Sequence, residues 1–169
     1  MSTLYWSSFQ SPLGLILIAS SESGVCAVNL PAKTKNSFFD WLRKNFPGYE
    51  LEESASKNEQ IMGELAQYFR GRPVRFRSKL DPRGTEFQRQ VWSELRKIPY
   101  GSVITYKELA KRVGRPEGYQ AVGRANAANP LPIVIPCHRV VGSEGDLVGY
   151  GAGIQTKEYL LRLEGTLIL

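Results

Sequence analysis

Apolar and polar residues alternate along the first part of the chain. Leu4-Tyr-Trp-Ser-Ser-Phe-Gln10, Leu15-Ile-Leu-Ile-Ala19 and Val25-Cys-Ala-Val-Asn-Leu30 each read as a strand, with a Ser11-Pro12-Leu13-Gly14 turn between the first two. Such spacing predicts a small antiparallel meander. The period then lengthens. Phe38, Phe39, Trp41, Leu42 and Phe46 predict a helix over 36–46, and Ile61, Leu65, Tyr68 and Phe69 one over 57–70, stopped by Gly71-Arg72-Pro73. Farther on, Phe87, Val91, Trp92 and Leu95 share one face of a helix that Thr85 can cap, reaching about Ile98 before Pro99-Tyr100-Gly101 breaks it. Thr105 caps a short helix from Tyr106 to Val113. Gly114-Arg115-Pro116 turns the chain, and another helix follows from about Gly118 to Ala127.

Strands first and helices after them predict an α+β protein. We read two domains: 1–83, a structural α/β domain, and 84–169, mostly helical, joined through the basic stretch Arg70–Arg83. The two short helices and their glycine-containing turn fit a helix-turn-helix. The second helix is rich in small residues, including Ala121, Gly123, Ala125 and Ala127. A major-groove reader carries long polar side chains to reach base edges. Small residues fit close approach to a narrower groove, and fit equally a helix packed tightly on another helix.

Charge adds a candidate partner. The net charge is +6, and residues 1–84 and 85–169 each carry 11 basic and 8 acidic residues, so the excess is not confined to one half. Local clusters stand out: Arg70, Arg72, Arg75, Arg77, Lys79 and Arg83 against Asp81, and Lys107, Lys111, Arg112, Arg115 and Arg124 around the helix pair. A polyanion is compatible with this balance. No apolar run approaches the roughly 18 residues of a membrane span, and the first residues lack a secretory pattern, so a cytoplasmic protein is expected.

The chain has two cysteines and one histidine. A lone disulfide is not expected without an export signal, and these residues fall short of a tetrahedral metal set, so no metal and no other cofactor is expected. Cys26, between apolar neighbours, reads as a buried small hydrophobe. Cys137 differs. It follows Asn129-Pro-Leu-Pro-Ile-Val-Ile-Pro136, whose prolines predict a stiff, extended segment, and it precedes His138, the only histidine. A free cysteine is only a few per cent thiolate at neutral pH, so a partner base has leverage. In an extended chain, adjacent side chains point to opposite faces, so His138 needs a bend or a bridging water to reach the thiol.

Ile135-Pro-Cys-His-Arg-Val-Val141, preceded by Asn129-Pro130, resembles the active-site signature of the O6-alkylguanine-DNA alkyltransferases. The resemblance extends to Phe87-Gln-Arg-Gln-Val-Trp92, Ile98-Pro-Tyr-Gly101, Ile104-Thr-Tyr106 and Lys157-Glu-Tyr-Leu-Leu161, covering nearly all of 84–165. It implies a ribonuclease H-like first domain and a helix-turn-helix, winged-helix-like second domain. It also implies repair of DNA by irreversible transfer of an alkyl group from guanine O6, with thymine O4 as a further candidate. The acceptor is consumed, with no turnover.

Carried over position by position, the resemblance makes Cys137 the acceptor, His138 its base through a water, and Glu164 the group that orients the imidazole. Asn129 braces the turn. Read without the family, Glu164 is a solvated helix residue and Tyr106 a core aromatic. With it, Tyr106 donates to the base, Cys137 and Val140 accept from its amine through their main chain, and Tyr150 and Gly151 close over it. Double-stranded DNA is the implied partner of a monomer, held at the minor groove through Tyr119, Gln120, Ala121, Arg124 and Ala125 with the damaged nucleotide flipped out.

The family commonly has an arginine where this chain has Gln120. A helix-turn-helix transcription factor, a lesion-binding protein without transfer and a cysteine hydrolase are the competing readings. The first needs no Pro-Cys-His-Arg segment, the second lacks the cysteine, and the third turns over.

Overall fold

The computed structural model describes residues 2–166. The chain divides between Arg83 and Gly84 into two compact units, a small sheet with helices followed by a mostly helical unit.

In the first unit β1 (Thr3–Ser11), β2 (Gly14–Ser21) and β3 (Gly24–Asn29) form the expected antiparallel meander. A fourth strand, β4 (Glu50–Glu53), adds parallel to β1 and gives the order β3-β2-β1-β4. The alternation in sequence did not reveal β4, because Leu51 is its only apolar residue. Between β3 and β4 lies α1 (Lys35–Asn45), started by Thr34, whose hydroxyl accepts from the Ser37 N–H. Its Phe38 and Leu42 pack with Leu4, Leu17, Ala19 and Ala27, and Cys26 lies wholly inside the same cluster. Burial pushes the Cys26 thiol up to about 12, so this sulfur stays protonated. Then α2 (Glu59–Phe69) buries Ile61, Leu65, Tyr68 and Phe69.

The basic stretch after α2 is not a free linker. Val25 donates to the Lys79 carbonyl at 2.8 Å and accepts from the Asp81 N–H at 2.8 Å, so this segment covers the open edge of β3. It comes so close that a Cβ on Gly24 would stand 2.5 Å from the Lys79 carbonyl oxygen, at a φ of +139°. The Glu64 carboxylate accepts from the Arg77 N–H and from the Ser78 hydroxyl. Backbone hydrogen bonds to Val25 and the Glu64 carboxylate fix this path.

The second unit opens with α3 (Glu86–Leu95), whose N-terminus carries a complete capping box between Thr85 and Gln88. It ends three residues before Ile98, because Lys97 and Ile98 close tight turns onto the Glu94 and Leu95 carbonyls. Two residues of β5 (Ile104–Thr105) pair in parallel with β6 (Val140–Val141). The helix-turn-helix is α4 (Tyr106–Arg112) and α5 (Tyr119–Ala127), and α6 (Ile154–Leu163) closes the unit. Helix α5 packs on both α3 and α4, and the Trp92 indole N–H donates to the Ala125 carbonyl at 2.8 Å. No helix among the described residues is long and apolar enough to cross a membrane.

Candidate active site

The segment before Cys137 is a tight loop, not the stiff extended strand its prolines suggest. The Asn129 side-chain oxygen Oδ1 accepts from the Leu131 N–H at 2.9 Å, and its Nδ2 donates to the Ile135 carbonyl at 2.8 Å. Ile135 returns to the Leu131 carbonyl at 2.8 Å. The loop places Ile133, fully buried, at a φ of +74°, a conformation that costs a β-branched residue about 1–3 kcal/mol. Prolines fix φ at their own positions, but these hydrogen bonds decide the direction of the chain. The Asn129 side chain thus ties the two ends of this turn together.

The loop delivers Cys137–Arg139 as one 3-10 turn. This is the bend that lets neighbouring side chains leave the strictly opposed arrangement of a strand. Cys137 is 5% exposed, and its sulfur lies 3.9 Å from the Tyr150 hydroxyl. Burial pushes the thiol up, while Asn129, Tyr150 and the Lys157 charge pull it back. Burial prevails, so the resting group is a thiol and ionisation needs a base.

His138 is completely buried, with Nε2 2.6 Å from Glu164 Oε2. Burial lowers its pKa against the opposing pull of Glu164, which leaves a neutral ring. A carboxylate against Nε2 assigns the proton to that nitrogen. Nδ1 is then a lone-pair acceptor, buried and without a protein partner among the described residues.

Glu164 is not the solvated helix residue its sequence position suggests. It caps the C-terminus of α6 at 5% exposure. Arg139 grips it as a fork, Nε to Oε1 at 2.8 Å and Nη2 to Oε2 at 3.1 Å, while Nη1 donates to the Ile98 carbonyl at 2.8 Å. Burial works to raise the Glu164 pKa, but the hydrogen bonds from His138 and Arg139, together with the Arg139 charge, outweigh it and hold the carboxyl at about 2. A fixed anion behind a neutral imidazole orients a proton acceptor.

Around the sulfur stand further polar groups. Tyr106 opens α4; its hydroxyl donates to the Val148 carbonyl at 3.4 Å and accepts from the Asn126 amide at 3.4 Å. Burial raises its pKa, so the phenol keeps its proton. The same Asn126 amide donates to the Cys137 carbonyl at 3.3 Å. Val140, fully buried, opens β6 against Ile104. Gly151 approaches the end of α5, where a Cβ would stand 3.7 Å from the Ala127 carbonyl oxygen.

On the outer face of α5, Tyr119, Gln120, Gly123, Arg124 and Ala127 form one wall of an open cleft of about 540 Å³, with Tyr106, Val148 and Gly149 opposite. Tyr119 is 44% exposed. Ala121 sits half-buried on the flank. Ala125 corrects the sequence reading: it is 3% exposed and, with Val122 and Asn126, lies on the inner face of α5, where its carbonyl accepts from Trp92 of α3. The helical period separates 119, 120, 123, 124 and 127 from 122, 125 and 126.

Sequence reasoning missed Arg139, Asn126 and Lys157 as members of this site. A signal was present for two of them. Arg139 sits in an otherwise apolar run, where a buried charge must be paired. Lys157 shares a helical stripe with Leu160, Leu161 and Glu164, three, four and seven residues on. For Asn126 the sequence carries no comparable signal.

A buried cysteine next in sequence to a buried His–Glu pair, in one unit with a helix-turn-helix, defines a cysteine-nucleophile protein with a nucleic-acid-binding architecture. Residues 4–82 match the ribonuclease-like domain, and residues 86–166 the DNA binding domain, of 6-O-methylguanine DNA methyltransferase. A methylated-DNA–protein-cysteine methyltransferase of Methanosarcina acetivorans is 42% identical over 96% of this chain and 99% of its own length. An inducible one from Bacillus subtilis is 40% identical over 96% and 90%. The crystal structure of Mycobacterium tuberculosis OGT in complex with DNA superposes with a TM-score of 0.82 at 35% identity, covering 95% of this chain and 92% of that one. The chain belongs to the 6-O-methylguanine DNA methyltransferase family.

Proposed function

We propose that this protein repairs double-stranded DNA by moving an alkyl group from O6 of guanine onto Cys137, once per molecule. The observation that carries the reading is a buried Cys137 followed at once by the buried His138–Glu164 pair, with Glu164 ionised. His138 Nδ1 takes the thiol proton through a bridging water, and Glu164, held by Arg139, keeps the ring in the tautomer that can accept it.

The thiolate attacks the alkyl carbon. A sulfur–carbon bond forms as the carbon–oxygen bond to O6 breaks, and the electron pair passes to the guanine ring. The proton given up by the thiol returns to the departing guanine. Tyr106, protonated and fixed by Asn126, donates a hydrogen bond to the base as its charge grows. The Val140 carbonyl accepts from the base amine, and the Tyr150–Gly151 segment covers its face. A thioether is a poor leaving group, so the protein ends alkylated.

The target base must leave the duplex to reach a buried sulfur. The outer face of α5 suits a minor groove, with small Gly123 and Ala127 between Tyr119, Gln120 and Arg124. Ala121 stands at the margin of that contact, while Ala125 supports it from the inner face. The protein acts as a monomer in the compartment that holds the DNA, the cytoplasm. The residues that work on the base all belong to the second unit.

Gln120 is shorter and uncharged beside the arginine that the family resemblance implies at this position. Gln120→Arg is expected to speed repair of duplex DNA by about tenfold, roughly 1.4 kcal/mol of barrier, and leave reaction with free O6-benzylguanine unchanged. Single-turnover kinetics on both substrates check this, and equal duplex rates would contradict it. The reading itself is tested with O6-methylguanine duplex: Cys137→Ala is expected to bind it and repair none. Residual repair by that variant refutes the proposal.

A further inference from the structure

The basic stretch in the first unit carries cations that the active site does not use. From Val74 to Leu80 its residues alternate in burial. Val74, Phe76 and Leu80 are half-buried and Ser78 is buried, whereas Arg75, Arg77 and Lys79 are exposed. The inner set is anchored: the Phe76 ring centre lies 6.2 Å from that of Tyr68, Ser78 gives its hydroxyl to Glu64, and Leu80 bridges to Val25. The fold therefore holds the outer three in a row without using their charges. No ion pair among the described residues involves Arg75, Arg77 or Lys79. Two neighbouring carboxylates are already engaged. Glu64 accepts from the Arg77 N–H and the Ser78 hydroxyl, and Asp81 accepts from the Ser21 hydroxyl at 2.6 Å and lies 3.9 Å from Arg83. At the end of the row Lys79 and Lys57 line a hollow of about 510 Å³, with Glu22 the one carboxylate among its described lining residues.

We propose that the row Arg75–Arg77–Lys79 is a second contact for the sugar–phosphate backbone of DNA, separate from the helix-turn-helix. The inference rests on DNA being the partner of this chain. Extended residues advance about 3.3 Å each, so alternate side chains stand roughly 6.6 Å apart. Phosphates of one strand advance about 3.4 Å along the duplex axis, so the row meets every second one. A guanidinium takes two phosphate oxygens at once, which favours arginine in such a row. Because the inner residues fix the segment, little ordering is left to be done on binding. The regular spacing favours a phosphate strand over an acidic protein surface, whose charges follow no such repeat.

The test is the salt dependence of binding. The full-length protein is titrated by fluorescence anisotropy onto undamaged labelled duplex between about 50 and 200 mM salt. Each phosphate neutralised adds about 0.9 to the slope of log affinity against log salt. Replacing the row together, Arg75→Gln, Arg77→Gln and Lys79→Gln, is expected to reduce the slope by about 2.7 and weaken binding about tenfold or more. The set Lys33→Gln, Lys35→Gln and Lys44→Gln removes three exposed charges around α1 and is expected to keep the wild-type slope. Reaction of Cys137 with free O6-benzylguanine is expected to be the same in all three proteins. If the row variant does not fold, as read by circular dichroism, Arg77→Gln alone is expected to lose about 0.9 of the slope.

An unchanged slope in the row variant, or an equal fall in the α1 variant, overturns the inference. Loss of binding to labelled polyglutamate with duplex binding intact also overturns it, and assigns the row to an acidic protein. Failure of the wild type to take methyl from an O6-methylguanine duplex defeats the proposed repair reaction alone, because the slope is read on undamaged DNA.

Discussion

Glu164→Gln is expected to lower both the stability of the second unit and the rate of alkyl transfer. The carboxylate is buried between Arg139 and His138, with both oxygens occupied. Glutamine leaves the guanidinium without an anion in a site where Arg139 is 8% exposed. Breaking one side of a buried pair costs about 3–5 kcal/mol. Denaturant unfolding followed by tryptophan fluorescence checks this, and an unchanged midpoint would contradict it.

The same carboxylate sets a pH dependence. Its folded pKa of about 2 lies below its ordinary value of 4.5. The unfolded chain therefore takes up the proton first as the pH falls. The stabilisation is complete above pH 4.5 and is lost between there and about pH 2, roughly 3 kcal/mol in all. His138, held neutral by burial below its ordinary 6.5, acts in the same direction from pH 6.5 downward. In Glu164→Gln the lower of these two losses is expected to vanish.

His138→Gln is expected to slow transfer on the order of 10²–10⁴-fold at pH 7, the usual worth of a positioned general base. The argument depends on the resting thiol. Because burial raises Cys137, little thiolate exists without a proton acceptor. Solvent hydroxide replaces that acceptor as the pH rises, so the deficit is expected to narrow steadily in alkaline buffer. A rate equal to wild type at pH 7, or a deficit independent of pH, would show that His138 does not withdraw the proton. Glutamine retains a donor for Glu164, which keeps the structural loss small.

Much of this architecture is legible in the chain because its cues are local. The spacing of Phe38 and Leu42, or of Val91, Trp92 and Leu95, reports a helix face directly, and Thr85 and Thr105 mark helix starts. What escaped depends on partners distant in sequence. The strand β4 exists because β1 offers it an edge, not because Glu50-Leu-Glu-Glu53 prefers to be extended. The segment at Lys79–Asp81 is fixed by Val25. Ile133 takes a left-handed conformation that its β-branched side chain disfavours, so no propensity announces the loop.

The site divides in the same way. Cys137 and His138 are marked by their motif. The burial of Glu164 and the grip of Arg139 emerge only when α6 packs beside the 3-10 turn. Ala125 turned inward because the period of α5 left it no place on the outer face.

The most direct measurement is a titration. A known amount of protein is mixed with excess duplex carrying labelled O6-methylguanine, and the label recovered on protein is counted and located by peptide mass. The account predicts that transfer stops at one label per molecule, all of it on the Cys137 peptide. More lesions repaired than molecules supplied, or label on Cys26 instead, would contradict it.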